Sequence, residues 1–339
     1  AGYSYRVDWG DGTEGLFTAD ATHTYADAGT YSVSILGNFP RIFFNNEGDK
    51  DKTIDVSQWG INPWATTENA FAGCENLEVT ATDAPDLSDI TSTSAMFKDC
   101  GNLAENTAFN TWNVSTIEDM SSMFAGCTVF NTDLDNWNVS NVKSMIGMFA
   151  DGVSFNGNIS TWDVSSVKDM GWMFNGAKSF TGDISGWNVS NVVSMRHMFC
   201  GASSFSGDIS AWDVSNVTDM SWMFHGATSF SGDLSGWDVW NVMSMTNMFY
   251  ATTALSSVFV EMQVSSFFEG RYRHMHPELR RQAFSPLFHW RRRKAFMLFL
   301  VGQGYLHSAH VSINDGHLKA PCDSIFNVYD LNRYICKFL

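Results

Sequence analysis

The chain has 339 residues, 44% of them hydrophobic and 17% charged, with a formal net charge of −16. That length bounds two or three domains with a sizeable core, and the composition excludes collagen-like and low-complexity chains. The charge is uneven: residues 1–260 hold 9 Lys/Arg against 30 Asp/Glu, a balance of −21, while residues 261–339 hold 11 against 6. An acidic surface of that size repels phosphates, so nucleic acid is not an expected partner.

Residues 1–50 predict a small β-domain. "YRVDWGDGT" (5–13) places Asp11-Gly12, a hairpin turn signal, between β-rich runs. In "HTYADAGTYSVSI" (23–35), Gly29-Thr30 precedes an alternating strand, and "PRIFFNN" (40–46) reads as a further strand leading into a cap for the repeats beyond residue 50. Asp8 and Asp11 are candidates for Ca²⁺, but two carboxylates are too few to define a site, and turn formation is the plainer role. The two quoted segments resemble a polycystic-kidney-disease (PKD) domain, an immunoglobulin-like β-sandwich of cell-surface proteins and secreted enzymes. The early strands of a full sandwich are absent. The opening "AGYSYRVDWGDG" lacks an initiator Met and a signal-peptide pattern, and a fragment or processed chain is expected.

Residues 51–258 repeat. Trp recurs at 112, 137, 162, 187, 212 and 237, always 25 apart, with Trp59 and Pro85 in the same slot of two looser early copies. A Met-Phe pair follows eleven residues after each, from Met96-Phe97 to Met248-Phe249, with Ala70-Phe71 first in the series. A fixed period of this size is the signature of a solenoid whose copies cannot bury their apolar faces alone. In the copy 205–227, "GDISAWDV" reads as a short strand. Val217, Met220, Met223 and Phe224 then fall on one face of a short helix, with Ser215 as N-cap and Gly226 as stop. Ser115 with Glu118 makes a capping box. The expected fold class is an α/β repeat, a leucine-rich-repeat-like solenoid of eight coils with a strand and a short helix in each, preceded by the immunoglobulin-like β segment. The Trp, Met and Phe stripes are core ladders rather than cofactor sites, each buried side chain contributing roughly 1.5–3 kcal/mol.

The pattern "MFxGAxxFxGDISxWDVSNV" resembles the repeat of BspA-like leucine-rich-repeat surface proteins over residues 56–255, with Trp, Ile and Val where shorter repeats carry Leu. The resemblance implies surface display and adhesion to extracellular or matrix proteins.

Function is expected on surface slots, not on the shared stripe. Asp183, Asp208 and Asp233 form an exposed ladder beside Ser185, Ser210 and Ser235, a row able to grip a cationic or polar partner or to stand as a solvated acidic face. Trp172, Trp222 and Trp240 lie off the core slots, and their exposure would favour sugar binding instead. Cys74, Cys100 and Cys127 share one small slot suited to free thiols, though adjacent copies are near enough to pair. Asn113, Asn138, Asn158, Asn188 and Asn216 open N-glycan acceptor patterns, which repeat geometry largely explains without a glycan. Ser140-Asn141-Val142-Lys143 and Ser165-Ser166-Val167-Lys168 match the Ser-x-x-Lys of penicillin-binding enzymes. The Lys slot holds Glu118, Val193, Thr218 and Met243 elsewhere, so Lys is a tolerated surface residue there. No other catalytic motif appears, and neither an enzyme nor a cofactor is expected.

Residues 259–339 read as a basic tail, poorly ordered or a cap. Arg291, Arg292, Arg293 and Lys294 beside the apolar run 295–301 offer membrane-surface contact, but that run is far too short to span a bilayer. His274 and His276 have no companion cluster for a metal. The expected function is a non-catalytic cell-surface or secreted protein that binds an extracellular protein or matrix ligand, with a structural or carbohydrate-binding region of a larger secreted enzyme as the alternative.

Overall fold

The computed structural model describes residues 3–234 and 236–255. Up to Ala254 they belong to one compact unit. The basic tail, with His274, His276 and the Arg291–Lys294 cluster, lies outside the described residues, as does Ser235.

The N-terminal strands β1 (Ser4–Asp8), β2 (Glu14–Phe17) and β3 (Ser34–Asn38) form an antiparallel sheet in the order β2-β1-β3. The Asp11-Gly12 turn joins β1 to β2, closed by the Trp9 N–H on the Thr13 carbonyl at 3.1 Å. Asp8 accepts the Gly10 N–H at 3.0 Å, and Asp11 accepts the Thr13 N–H and hydroxyl at 3.0 and 2.6 Å and meets His23 Nε2 at 2.7 Å. Both carboxylates are thus engaged in shaping the turn. The Thr13 hydroxyl, then His23, holds the Asp11 carboxyl down at about 2. β3 begins at Ser34 rather than Tyr31, and 40–46 is not a strand. Phe44 and Asn46 instead donate their N–H groups to the Ala70 and Ala72 carbonyls at 3.0 and 2.8 Å, laying one further turn over the first coil.

The repeats stack, but the expected α/β coil with a strand and a helix in each is not what they form. Among the described residues there is no α-helix, only 3₁₀ turns at Lys50–Lys52 and Thr107–Thr111. Strands are short: β4 (Asp55–Val56) and β5 (Glu78–Val79) pair in parallel, and later coils join through single-residue parallel bridges such as Asp169–Ser194–Asp219–Ser244.

Residues 219–227 show why. Met220, Trp222, Phe224 and Gly226 each donate their N–H to the next coil, to the carbonyls of Ser244, Thr246, Met248 and Tyr250 at 2.8–2.9 Å. The N–H groups between them, on Met223, His225 and Ala227, close tight turns onto Met220, Trp222 and Phe224 at 3.0–3.2 Å. An α-helix would need every one of those donors for a carbonyl four residues back. Trp222 (φ 60°) and Gly226 (φ 68°) are also left-handed, which breaks a right-handed helix every fourth residue. The spacing of Met220, Met223 and Phe224 therefore comes from consecutive turns. "GDISAWDV" is likewise a turn, closed by the Trp212 N–H on the Ile209 carbonyl at 3.2 Å. With no helix to cap, Ser115 donates its N–H to Asn113, and Glu118 pairs with Lys143 at 2.6 Å.

Aromatic columns fill the interior. Phe97, Phe124, Phe149, Phe174, Phe199, Phe224 and Phe249 stack with centroids 5.6–5.9 Å apart. Phe130 to Phe230 form a second column at 5.8–6.2 Å. The buried Trp slot satisfies its indole N–H on the preceding coil: Trp137, Trp162, Trp187, Trp212 and Trp237 donate to carbonyls at 2.7–3.3 Å. Cys74, Cys100 and Cys127 are buried free thiols. Cys100 and Cys127 donate to the Phe71 and Phe97 carbonyls at 3.1 and 3.0 Å, and burial pushes all three thiols up, Cys74 to about 12.

Candidate functional site

The acidic ladder is built from the turns of the coil itself. Asp183, Asp208, Asp233, Ser185 and Ser210 are all exposed. Asp183 accepts the Ser185 N–H and Asp208 the Ser210 N–H, both at 3.0 Å. These backbone hydrogen bonds, helped by the serine hydroxyls, hold both carboxyls below the usual range, and the Asp208 charge opposes this weakly at Asp183. An Asp or Asn accepting from the residue two positions on is an Asx-turn. The same device follows the core Trp at Asn138, Asp163, Asn188 and Asp213, and in the ladder's own column Asp133 accepts the Asn158 N–H of the next coil at 2.7 Å. The ladder thus has a structural use at Asp133, Asp183 and Asp208.

A second surface owes nothing to the needs of the coil. One slot of the turn region is left-handed in every copy and is occupied in order by Asn69, Ala95, Ser122, Gly147, Trp172, His197, Trp222 and Asn247, with φ between 53° and 63°. A left-handed conformation costs roughly 1–2 kcal/mol for a residue with a Cβ, and bulky residues in it are outliers. Three consecutive coils nonetheless place large rings there. Trp172 and His197 stack 3.8 Å apart with 5° between planes, and His197 and Trp222 follow at 5.5 Å and 5°. Trp222 meets His225 at 4.6 Å, and His225 stacks on Tyr250 at 5.0 Å. The Arg196 guanidinium stands 5.9 Å from the Trp172 ring.

This strip has polar atoms to spare. His197 Nδ1, His225 Nδ1 and Asn247 Oδ1 are buried without a hydrogen-bond partner, three of the five such atoms among the described residues, so the shortfall is concentrated here. A buried polar atom left unpaired carries a desolvation penalty of about 1–3 kcal/mol. Strain together with unpaired polar groups is the pattern expected of a surface kept for a ligand.

Sequence reasoning singled out Trp172, Trp222 and Trp240. The structure joins the first two through His197 and leaves Trp240 exposed on a different turn, where Asp238 accepts its N–H at 3.0 Å. His197, His225 and Tyr250 were missed because their two slots carry no shared residue type: His197 shares one with Gly147, Trp172 and Trp222, and His225 and Tyr250 share another with Ala150, Asn175 and Cys200. Reading each slot across all copies is the signal that finds them.

Burial, and next the Arg196 charge, push His197 down to about 4, against a weaker pull from Asp219; burial also lowers His225. The unfolded chain therefore binds a proton between about pH 6.5 and 4 that the folded chain does not, so stability falls as pH drops through that window. The melting temperature is expected to fall between about pH 7 and about pH 5, above most carboxylate titration. His197→Asn should flatten that fall, since Asn69 and Asn247 already occupy the slot. Parallel curves for the two proteins would rule out His197 as the source.

The family model described as "Mycoplasma protein of unknown function, DUF285" matches residues 65–187 and 172–274. The chain belongs to this family. The two matched stretches overlap at 172–187, so Trp172 falls within both. No curated protein and no solved structure matches the chain.

Proposed function

We propose that this DUF285 chain is a non-catalytic recognition scaffold, secreted or displayed at the cell surface, that binds a macromolecular partner along the strip Trp172–His197–Trp222. The observation that supports the reading is the placement of three large rings in left-handed slots that Ala95, Ser122 and Gly147 fill in earlier coils. The core is indifferent to that slot, so the rings add strain without adding interior packing. Trp, Tyr and Arg side chains in contact are also the commonest composition of binding hot spots. The extracellular placement rests on the likeness of "YRVDWGDGT" and of the repeat to surface-protein modules. The acidic ladder proposed from sequence is secondary here, because the Asp183 and Asp208 carboxylates are engaged in their own turns.

The test is binding of the full chain to an immobilised panel of matrix proteins and polysaccharides. Trp172→Ala with Trp222→Ala should weaken binding at least tenfold, a loss of about 1.4 kcal/mol or more. Asp183→Asn with Asp208→Asn and Asp233→Asn should change it little. The reverse ranking would return the contact to the acidic ladder, and no binding to any member would defeat the reading.

A further inference from the structure

We infer that the strip binds a neutral glycan, whose sugar ring lies on the open face of the Trp172 indole above Gly147. The inference deepens the proposed function and rests on it.

The geometry singles out one ring face. Within the stack, His197 is covered on both sides, by Trp172 at 3.8 Å and by Trp222 at 5.5 Å, and is only 9% exposed. Trp172 ends the stack: one face meets His197, and the slot on its other side is Gly147, which has no side chain. Trp172 is accordingly 38% exposed. A Cβ placed on Gly147 would meet Ser122 Oγ at 3.4 Å, Ala150 Cβ at 3.7 Å and Trp172 Cβ at 3.9 Å, all ordinary contacts. The gap therefore lies between Trp172 and a serine hydroxyl and admits a Cβ that the chain does not supply.

The chemistry of that gap suits a sugar. A pyranose presents a flat face of C–H groups to an aromatic ring and hydroxyls around its rim. The indole offers the first contact, while the Ser122 hydroxyl at the far side of the gap offers a hydrogen bond to the rim. Partner charge narrows the class: with 30 Asp/Glu against 9 Lys/Arg over residues 1–260, a polyanionic glycan would be repelled and a neutral one would not. A protein partner would use the ring edges along the whole strip instead, and it would gain rather than lose from a further ring at Gly147.

That difference makes the test. Gly147→Trp should fold, because Trp172 and Trp222 already hold the same slot at φ 63° and 60° against 60° for Gly147. It extends the stack and covers the Trp172 face. Trp172→Ala removes the platform and leaves a residue that Ala95 shows the slot accepts. Saturation-transfer NMR with cellohexaose, maltohexaose, chitohexaose and heparin, on the full chain, reads binding at the sugar protons. The expected result is transfer from aromatic protons to at least one neutral hexaose, none to heparin, and at least a tenfold loss in both variants with unchanged melting temperature. No transfer to any neutral hexaose overturns the inference, as does neutral-hexaose binding that survives in Gly147→Trp or in Trp172→Ala. If protein ligands from the panel bind the chain and Gly147→Trp strengthens them, the glycan inference fails and the recognition strip stands. If nothing binds, both fail.

Discussion

Replacing Phe174 by Ala is expected to lower stability by about 3–5 kcal/mol. The side chain is fully buried and touches two columns at once: Phe149 and Phe199 lie 5.9 and 5.6 Å away along its own stack, and Phe180 lies 4.0 Å away beside it. Trp187 closes the other flank at 6.3 Å. The void left by Ala cannot collapse easily, because hydrogen bonds between coils fix the spacing. The Phe174 N–H is held by the Met198 carbonyl at 2.9 Å, and the Phe149 N–H by Met173 at 2.9 Å. In a stack where each coil contacts only its neighbours, one weakened coil lowers two interfaces. Urea unfolding of Phe174→Ala beside Phe174→Leu measures this, the Leu change being the milder. A loss below about 1 kcal/mol for Ala would mean that the coils can close on the cavity, contrary to the spacing that the ladder imposes.

The period, the core slots and the small-residue slot of the cysteines were legible in the sequence, because repetition writes them eight times. The local conformation was not. Met220, Met223 and Phe224 have the spacing of a helical face, and consecutive tight turns produce the same spacing. What separates the two is the destination of every second N–H group, a partner 24 residues away that no local pattern reveals. The glycines gave half of the remaining signal: Gly126, Gly176, Gly201 and Gly226 do mark left-handed residues, but as one of two per coil rather than as helix stops. The other left-handed slot holds Ser122, Trp172, His197 and Trp222, residues whose propensities point elsewhere. The acidic ladder was legible for the same reason as the core, namely that it repeats, and repetition is what a structural turn also does. The aromatic strip does not repeat. Two of its rings were visible as departures from the core pattern, whereas His197 sits between them in a slot that has no shared residue type to mark it.

Gly157→Ala is expected to destabilise the stack by about 1–3 kcal/mol or more, although the change is one methyl group and Gly157 has no left-handed φ to lose. The added Cβ would lie 2.1 Å from the Thr132 carbonyl oxygen and 2.7 Å from its carbon. Both atoms are backbone of the preceding coil, so relief requires the coils to separate, which stretches the ladder and opens the aromatic columns. The same slot one coil later differs: a Cβ on Gly182 would press at 2.9 Å on the edge of Phe180, a side chain of its own coil rather than the backbone of a neighbouring one. Gly186→Ala is the matched control, because a Cβ there has nothing within 4 Å, and Thr161 and Ala211 already occupy the slot. Reducing the freedom of the unfolded chain should then stabilise the protein by about 0.4–1 kcal/mol. Thermal melts of the two variants should shift in opposite directions, and a shared direction would show that coil contact is not what sets the glycine requirement. The pair also bears on function, since Gly157 sits between Gly147 and Trp172 in sequence but acts through the spacing of coils. If coil spacing positions the Trp172 platform, binding should weaken in Gly157→Ala and remain intact in Gly186→Ala. Equal binding in both would mean that the strip is held by its own turns alone.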